Sequence, residues 1–163
     1  MKGSNTEVTD LVIPDGVTEI KAYAFTGAQS LTSVSIPSSV SVIGKDAFTY
    51  DTGLKMVYIS SLTSWCDIDF STLYSNPLHF AGHLSVGDDH SEITNLVIPE
   101  DVTDIKKYVF SGFTCLKTAS IPNSVTIISD YAFDDCGNLV SVDLHEGITT
   151  IGDHAFCDCS DCA

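Results

Sequence analysis

The pair Ile-Pro occurs four times, at Ile13-Pro14, Ile36-Pro37, Ile98-Pro99 and Ile121-Pro122, so four of the five prolines hold one place in a repeat. Phenylalanine sets the period: Phe25 and Phe48 are 23 residues apart, and so are Phe110, Phe133 and Phe156. One unit reads L-x-x-V-x-I-P-x-x-V-x-x-I-x-x-x-A-F-x-x-x-x-x. Copies begin near Val8, Leu31, Leu54, Ile93, Leu116 and Leu139, with VTDLVI, LTSVSI, LKMVYI, ITNLVI, LKTASI and LVSVDL in the first six places. No single unit can bury its own apolar face, so consecutive units must stack.

The V-x-I core alternates apolar and polar residues, which predicts a short strand with one apolar side. Stacking puts Val34 between Leu11 and Val57, and Ile36 between Ile13 and Ile59, in a parallel sheet. Proline lacks an N–H and ends the ladder after the strand. The V-x-x-I piece, such as Val17 to Ile20, packs the return path as a second short strand or a turn; the spacing allows both. Ala and Phe, as at Ala47-Phe48, fill the far wall, the small residue where backbones are close and the ring where they are wide.

Periods of 20–29 residues with L-x-x-L-x-L mark leucine-rich repeats. Ile-Pro, then V-T-x-I, then A-F and a small residue or Cys, resembles the BspA-like leucine-rich repeat family. The stretches that carry the likeness are LVIPDGVTEIKAYAFTGAQSL, VSIPSSVSVIGKDAFTYDTGL, LVIPEDVTDIKKYVFSGFTCL, ASIPNSVTIISDYAFDDCGNL and VDLHEGITTIGDHAFCDCSDC. The resemblance implies a leucine-rich-repeat solenoid. Short parallel strands would stack in a right-handed coil, with turns and short helical segments on its outer side. It implies one such domain over residues 1–163. It also implies surface-displayed or secreted proteins of bacteria and protists that bind other proteins, often in adhesion, and no shared catalytic residues.

The pattern breaks once. Leu54 and Ile93 are 39 residues apart, which places an insertion in the third repeat at about 63–92. In it, Phe70 is expected to stand for the repeat Phe one residue early. Asn76-Pro77 reads as a helix start, with Asn as N-cap and Pro at the first position, followed by one or two turns over Leu78–Leu84. HLSV reads as a strand, and GDDHSE as the turn leading to ITNLVI. VTDLVIPDGVTEIKAYAF and ITNLVIPEDVTDIKKYVF align at an offset of 85. The second copy stops at Ala163, equivalent to Leu78, so the chain reads as a fragment or as a solenoid closed by an unusual cap. The start MKGSNTEVTD has no apolar core of a signal peptide, and no apolar run reaches membrane-spanning length; the segment is cytosolic or belongs to something larger.

Twenty-two acids face seven lysines and no arginine, a net charge of −15. That argues against nucleic acid as a direct partner. It suits a basic protein partner, and the alternative function is an acidic intracellular inhibitor or nucleic-acid mimic that fills a basic groove. Enzyme motifs fail: there is no G-x-G-x-x-G or G-x-S-x-G, the Gly147–Gly152 spacing is followed by Asp153 rather than Lys, and His145-Glu146 lacks a second His. No cofactor or metal site is assigned. Cys136 and Cys159 share a repeat place and stack within disulfide reach, as a bonded pair or as two small core residues. Cys66 and Cys115 read as core. The tail CDCSDC could hold zinc with His154, though its spacing is not a standard pattern. His79 and His83 would share a helix face.

What the repeat leaves free is the outward side of each V-x-I core. Two columns form on the expected concave face: Asp10, Ser33, Met56, Asn95, Thr118 and Ser141, then Val12, Ser35, Tyr58, Val97, Ser120 and Asp143. Solenoids bind protein partners on such faces. Met56 and Tyr58, expected beside Val97 and near Trp65, are the favoured anchors.

Overall fold

The computed structural model describes residues 8–87 and 91–159. The chain is a parallel-strand solenoid of about six turns with little helix. In each turn the V-x-I core forms the first strand: β1 (Asp10–Val12), β3 (Ser33–Ile36) and β5 (Met56–Ile59), then β8 (Asn95–Val97), β10 (Thr118–Ser120) and β12 (Ser141–Asp143). The return path forms a second strand of two residues, which resolves the alternative the spacing left open. These strands are β2 (Glu19–Ile20), β4 (Val42–Ile43) and β6 (Asp69–Phe70), then β9 (Asp104–Ile105), β11 (Ile127–Ile128) and β13 (Thr150–Ile151). The register is the predicted one, with Leu11 beside Val34, Val34 beside Val57, and Ile36 beside Ile59.

Proline does more than stop the ladder. The carbonyls of Pro14, Pro37, Pro99 and Pro122 accept from the N–H three residues on, at Val17, Val40, Val102 and Val125 (3.1–3.2 Å). Each Ile-Pro therefore opens a tight turn that swings the chain toward its return strand. In the last turn His145 does the same with Ile148 (3.4 Å).

Beyond the return strand, successive turns remain tied by backbone bonds: Tyr23 N–H to Lys45 O, Phe25 N–H to Ala47 O, Phe110 N–H to Ala132 O and Phe133 N–H to Ala155 O (2.8–2.9 Å). To aim these groups, two places per repeat take left-handed backbone. One holds Tyr23, Asp46, Tyr108, Tyr131 and His154; the other Gly27, Tyr50, Gly112, Asp135 and Asp158 (φ 52–76°). Side chains rarely accept this conformation, and the stacked neighbours hold it. Phenylalanine rings stack along the interior, Phe25 on Phe48 at 5.2 Å and Phe110 on Phe133 on Phe156 at 5.1 and 5.2 Å.

The insertion follows expectation in its short helix and in the strand at HLSV, and departs from it at Phe70 and in where that strand pairs. Phe70 does not replace the repeat Phe; it lies in β6 opposite Ile43, in the place of the V-x-x-I isoleucine. The shift arises because helix α1 (Leu62–Cys66), capped by Ser61, lengthens the path before it. Helix α2 (Leu78–Ala81) is a single turn, ended by Gly82 at φ 70°; Asn76 Oδ1 does accept from Leu78 N–H (2.9 Å). Then β7 (Leu84–Val86) adds a fourth strand beside β5, with Leu84 beside Val57 and Ser85 beside Tyr58. The chain reverses, Ser85 bridging Glu92 in antiparallel sense, and β8 opens a second sheet. Among the described residues, helical segments occur only in this third turn, not on the outer side of every turn.

Side chains and loops of the long third turn join the two stacks. Trp65 Nε1 donates to Val109 O (3.0 Å), Asn76 Nδ2 to Tyr108 O (2.7 Å), and Cys115 N–H to Gly82 O (3.1 Å). The buried apolar residues of both stacks belong to one cluster. Gly112 sits where a Cβ would lie 2.4 Å from His79 Cα, whereas a Cβ on Gly16, also left-handed, would meet nothing within 4 Å. Gly16→Ala should therefore cost only the left-handed penalty, roughly 1–2 kcal/mol. Gly112→Ala should cost clearly more in urea unfolding, because backbone must move as well.

Candidate protein-binding face

Each predicted face residue lies on an outward strand position, and none is buried. The structure splits both columns. Asp10, Ser33 and Met56 are in register, and so are Asn95, Thr118 and Ser141, but in the other sheet. The second column runs Val12, Ser35, Tyr58 and Ser85, then separately Val97, Ser120 and Asp143. Tyr58 is thus beside Ser85 rather than Val97, because β7 takes the place expected for β8. Ser85 is fully buried, unlike the rest of its column. The strand at HLSV is legible in the sequence, but not its place beside β5; the signal for that is Leu84-x-Val86, a V-x-I core displaced by four residues.

Hydroxyls link neighbours along the columns. Ser33 Oγ donates to Asp10 Oδ1 (2.6 Å) and Thr118 Oγ1 to Asn95 Oδ1 (2.9 Å). The Ser33 bond is the main reason the Asp10 carboxyl stays below its usual range. The apolar exceptions are Val12 and Val97, 69% and 68% exposed at equivalent places in the two stacks. Val12, Ser35 and Tyr58, with Asp15 and Pro37, line a shallow groove of about 220 Å³. Trp65 contributes nothing to this surface; it is 1% exposed and packs edge-on against Phe70.

The remaining candidates separate. His79 and His83 do not share a helix face, since α2 ends between them. His79 packs against Tyr74 and Phe80, and burial lowers its pKa. His83 instead pairs with Glu92, whose carboxyl is thereby held low. Cys66 is core, as expected; Cys115 is half-buried and faces this pair, with its pKa pushed up to about 12 by burial and by Glu92. Cys136 and Cys159 are not joined in a disulfide; their thiols donate to Phe110 O and Phe133 O (3.3 and 3.2 Å). His154 stacks on Tyr131 at 5.0 Å, while the Cys157 thiol lies near Asp134 and Asp158. Cys162, the rest of the tail, and Asp88, Asp89 and His90 lie outside the described residues.

The matching family model, described as BspA type leucine-rich repeat region, occurs in six copies over residues 4–78 and 88–163. The chain belongs to this family. Among solved structures it resembles a leucine-rich-repeat protein of T. pallidum, at 26% identity and TM-score 0.52, over 94% of this chain and 78% of that one. It also resembles a leucine-rich cell surface protein of Faecalibacterium prausnitzii, at 25% identity and TM-score 0.53, over 96% of this chain and 47% of that one. A leucine-rich-repeat protein of Eubacterium ventriosum shares the fold at 21% identity and TM-score 0.53, over 96% of this chain and 44% of that one. The chain thus spans less than half of the latter two. No curated protein gives a significant match. No helix among the described residues is long and apolar enough to cross a membrane.

Asp51 occupies the repeat place of Cys136 and Cys159. Its side chain is fully buried: Oδ1 accepts from Ala28 N–H (2.7 Å), Oδ2 has no hydrogen-bond partner among the described residues, and burial raises its pKa to about 6. Below that value the folded chain takes up a proton that the unfolded carboxyl, at 3.8, does not yet bind. This residue therefore adds stability as pH falls from about 6 toward 3.8. Asp51→Asn should remove that contribution. Unfolding curves of both proteins across this range should converge at the acid end and separate, with the variant more stable, near neutrality.

Proposed function

We propose that the chain is a single leucine-rich-repeat domain that works as a non-enzymatic protein-binding or adhesion module of a cell-surface or secreted protein. Its partner would lie along the strand face. The observation that carries this reading is the pair of exposed valines, Val12 and Val97, among short hydroxyl residues on two ordered sheets. A lone exposed valine is ordinary on a strand, but Val12 continues into a groove with Ser35, Pro37 and Tyr58, a contiguous surface that a partner can cover. The groove beside Val12 holds Tyr58, the kind of rigid amphipathic side chain that anchors interfaces. Family membership and the cell surface protein of Faecalibacterium prausnitzii support a location at or beyond the cell surface.

The test is affinity capture on extracellular and host-surface protein mixtures, followed by binding measurements with each captured partner. Tyr58→Ala and Val12→Ser should each weaken binding by roughly tenfold or more, as hot-spot truncations do. Lys21→Ala, on the return path, should leave it unchanged. Equal affinity for all variants would place the partner elsewhere. The net charge of −15 favours a second reading, an acidic inhibitor or nucleic-acid mimic for a basic groove. Under it, affinity would collapse with added salt and be insensitive to Val12→Ser.

A further inference from the structure

Three donor groups, two from the end of the long third turn and one from a repeat later, meet at the junction of the two stacks. His83 Nδ1, a Glu92 carboxylate oxygen and Cys115 Sγ all lie within 4.8 Å of one another. Backbone bonds fix their carriers. Gly82, in left-handed backbone, turns the chain out of α2, and its carbonyl accepts from Cys115 N–H (3.1 Å). Ile93 N–H donates to Leu84 O (2.9 Å), which holds Glu92 opposite β7, and the Cys115 thiol reaches Ile93 O (3.4 Å). The repeat does not require these residues. His83 lies in the insertion, and Glu92 and Cys115 share the repeat place that carries Glu7, Ser30, Gly53 and Asn138 in other copies.

We propose that His83, Glu92 and Cys115 bind a divalent ion of the zinc type at the junction between the two stacks. Imidazole, thiolate and carboxylate together select zinc over calcium or magnesium, which take all-oxygen shells. Ligand atoms at about 2.0–2.3 Å from a tetrahedral zinc lie roughly 3–4 Å from one another, so His83 and Glu92, bonded to each other and both partly exposed, would rotate apart around the ion while Cys115 draws nearer. On binding, the Cys115 proton leaves to solvent and the thiolate coordinates. His83 and Glu92 also line an open cleft of about 390 Å³ with Leu54, Lys55 and Met56, and the ligand for the fourth position would come from there. Water or a side chain of a bound protein could take it, next to the proposed binding face. The ion would clamp the insertion to the fourth repeat, where the strand sheet is interrupted. This site stands independently of the protein-binding reading.

The experiment uses the full chain after chelation, titrated with zinc by calorimetry and with cobalt(II) by absorbance. One ion should bind per chain, with a thiolate-to-cobalt charge-transfer band, the visible bands of a tetrahedral ion, and a higher melting temperature. Cys115→Ser should abolish the charge-transfer band. His83→Ala should weaken zinc by more than the roughly 10- to 100-fold that losing an outer-shell partner costs. Both should be made in a background with Cys157, Cys159 and Cys162 changed to Ser, so that tail thiols cannot supply the signal. Circular dichroism of the chelated variants checks folding. No stoichiometric binding in that background, or binding that Cys115→Ser and His83→Ala leave intact in folded protein, overturns the proposal.

Discussion

Everything in this chain depends on one lateral interaction: a backbone N–H of one turn bonded to a carbonyl of the next. The strands are two to four residues long, far too short to hold together alone. Bonds such as Phe133 N–H to Ala155 O recur on the return path as well, so each turn is a ring of donors and acceptors for its neighbours. The constraint explains the strict period. It also explains why tyrosine, aspartate and histidine accept left-handed backbone at fixed places: the ladder there supplies more than the local conformation costs.

The same constraint makes the insertion informative. Leu84 follows Val57 by 27 residues, so the third turn is longer than its fellows, and β7 then occupies the strand edge that β8 would have used. The ladder of first strands stops, and other groups restore the connection. Trp65, Asn76 and Gly112 are packed or bonded across the junction, and Lys106 reaches Asp67 O and Asp69 (2.6 and 2.8 Å). Trp65 and Asn76 come from the insertion, whereas Gly112 and Lys106 repeat Gly27 and Lys21 and take on the junction contacts as well. The freedom the repeat withholds elsewhere is used at one level, which brings Met56 to the same cleft as His83 and Glu92.

The repeat itself was legible because Ile13, Ile36, Phe25 and Phe48 recur at a period only stacking can satisfy, and the strand register followed from it. The order of the face was legible only within each stack. HLSV reads as a strand, but the period does not say that it takes the edge beside β5, so spacing alone puts Tyr58 beside Val97 rather than Ser85. Phe70 was assigned from spacing to the wrong wall, because α1 changes the phase before it. Of the His83–Glu92–Cys115 cluster one pair is legible in spacing: Glu92 and Cys115 are one period of 23 residues apart and stack. His83 has no such signature, because the antiparallel reversal brings it to Glu92.

The central claim is that the long third turn joins the two stacks into one cooperative unit despite the broken sheet. Native-state hydrogen exchange in low denaturant tests it directly. Val57 N–H, bonded to His83 O in the first stack, and Phe110 and Phe133 N–H in the second should exchange through a common opening with one free energy. Amides of one stack that stay protected while those of the other exchange through a clearly cheaper opening would contradict it.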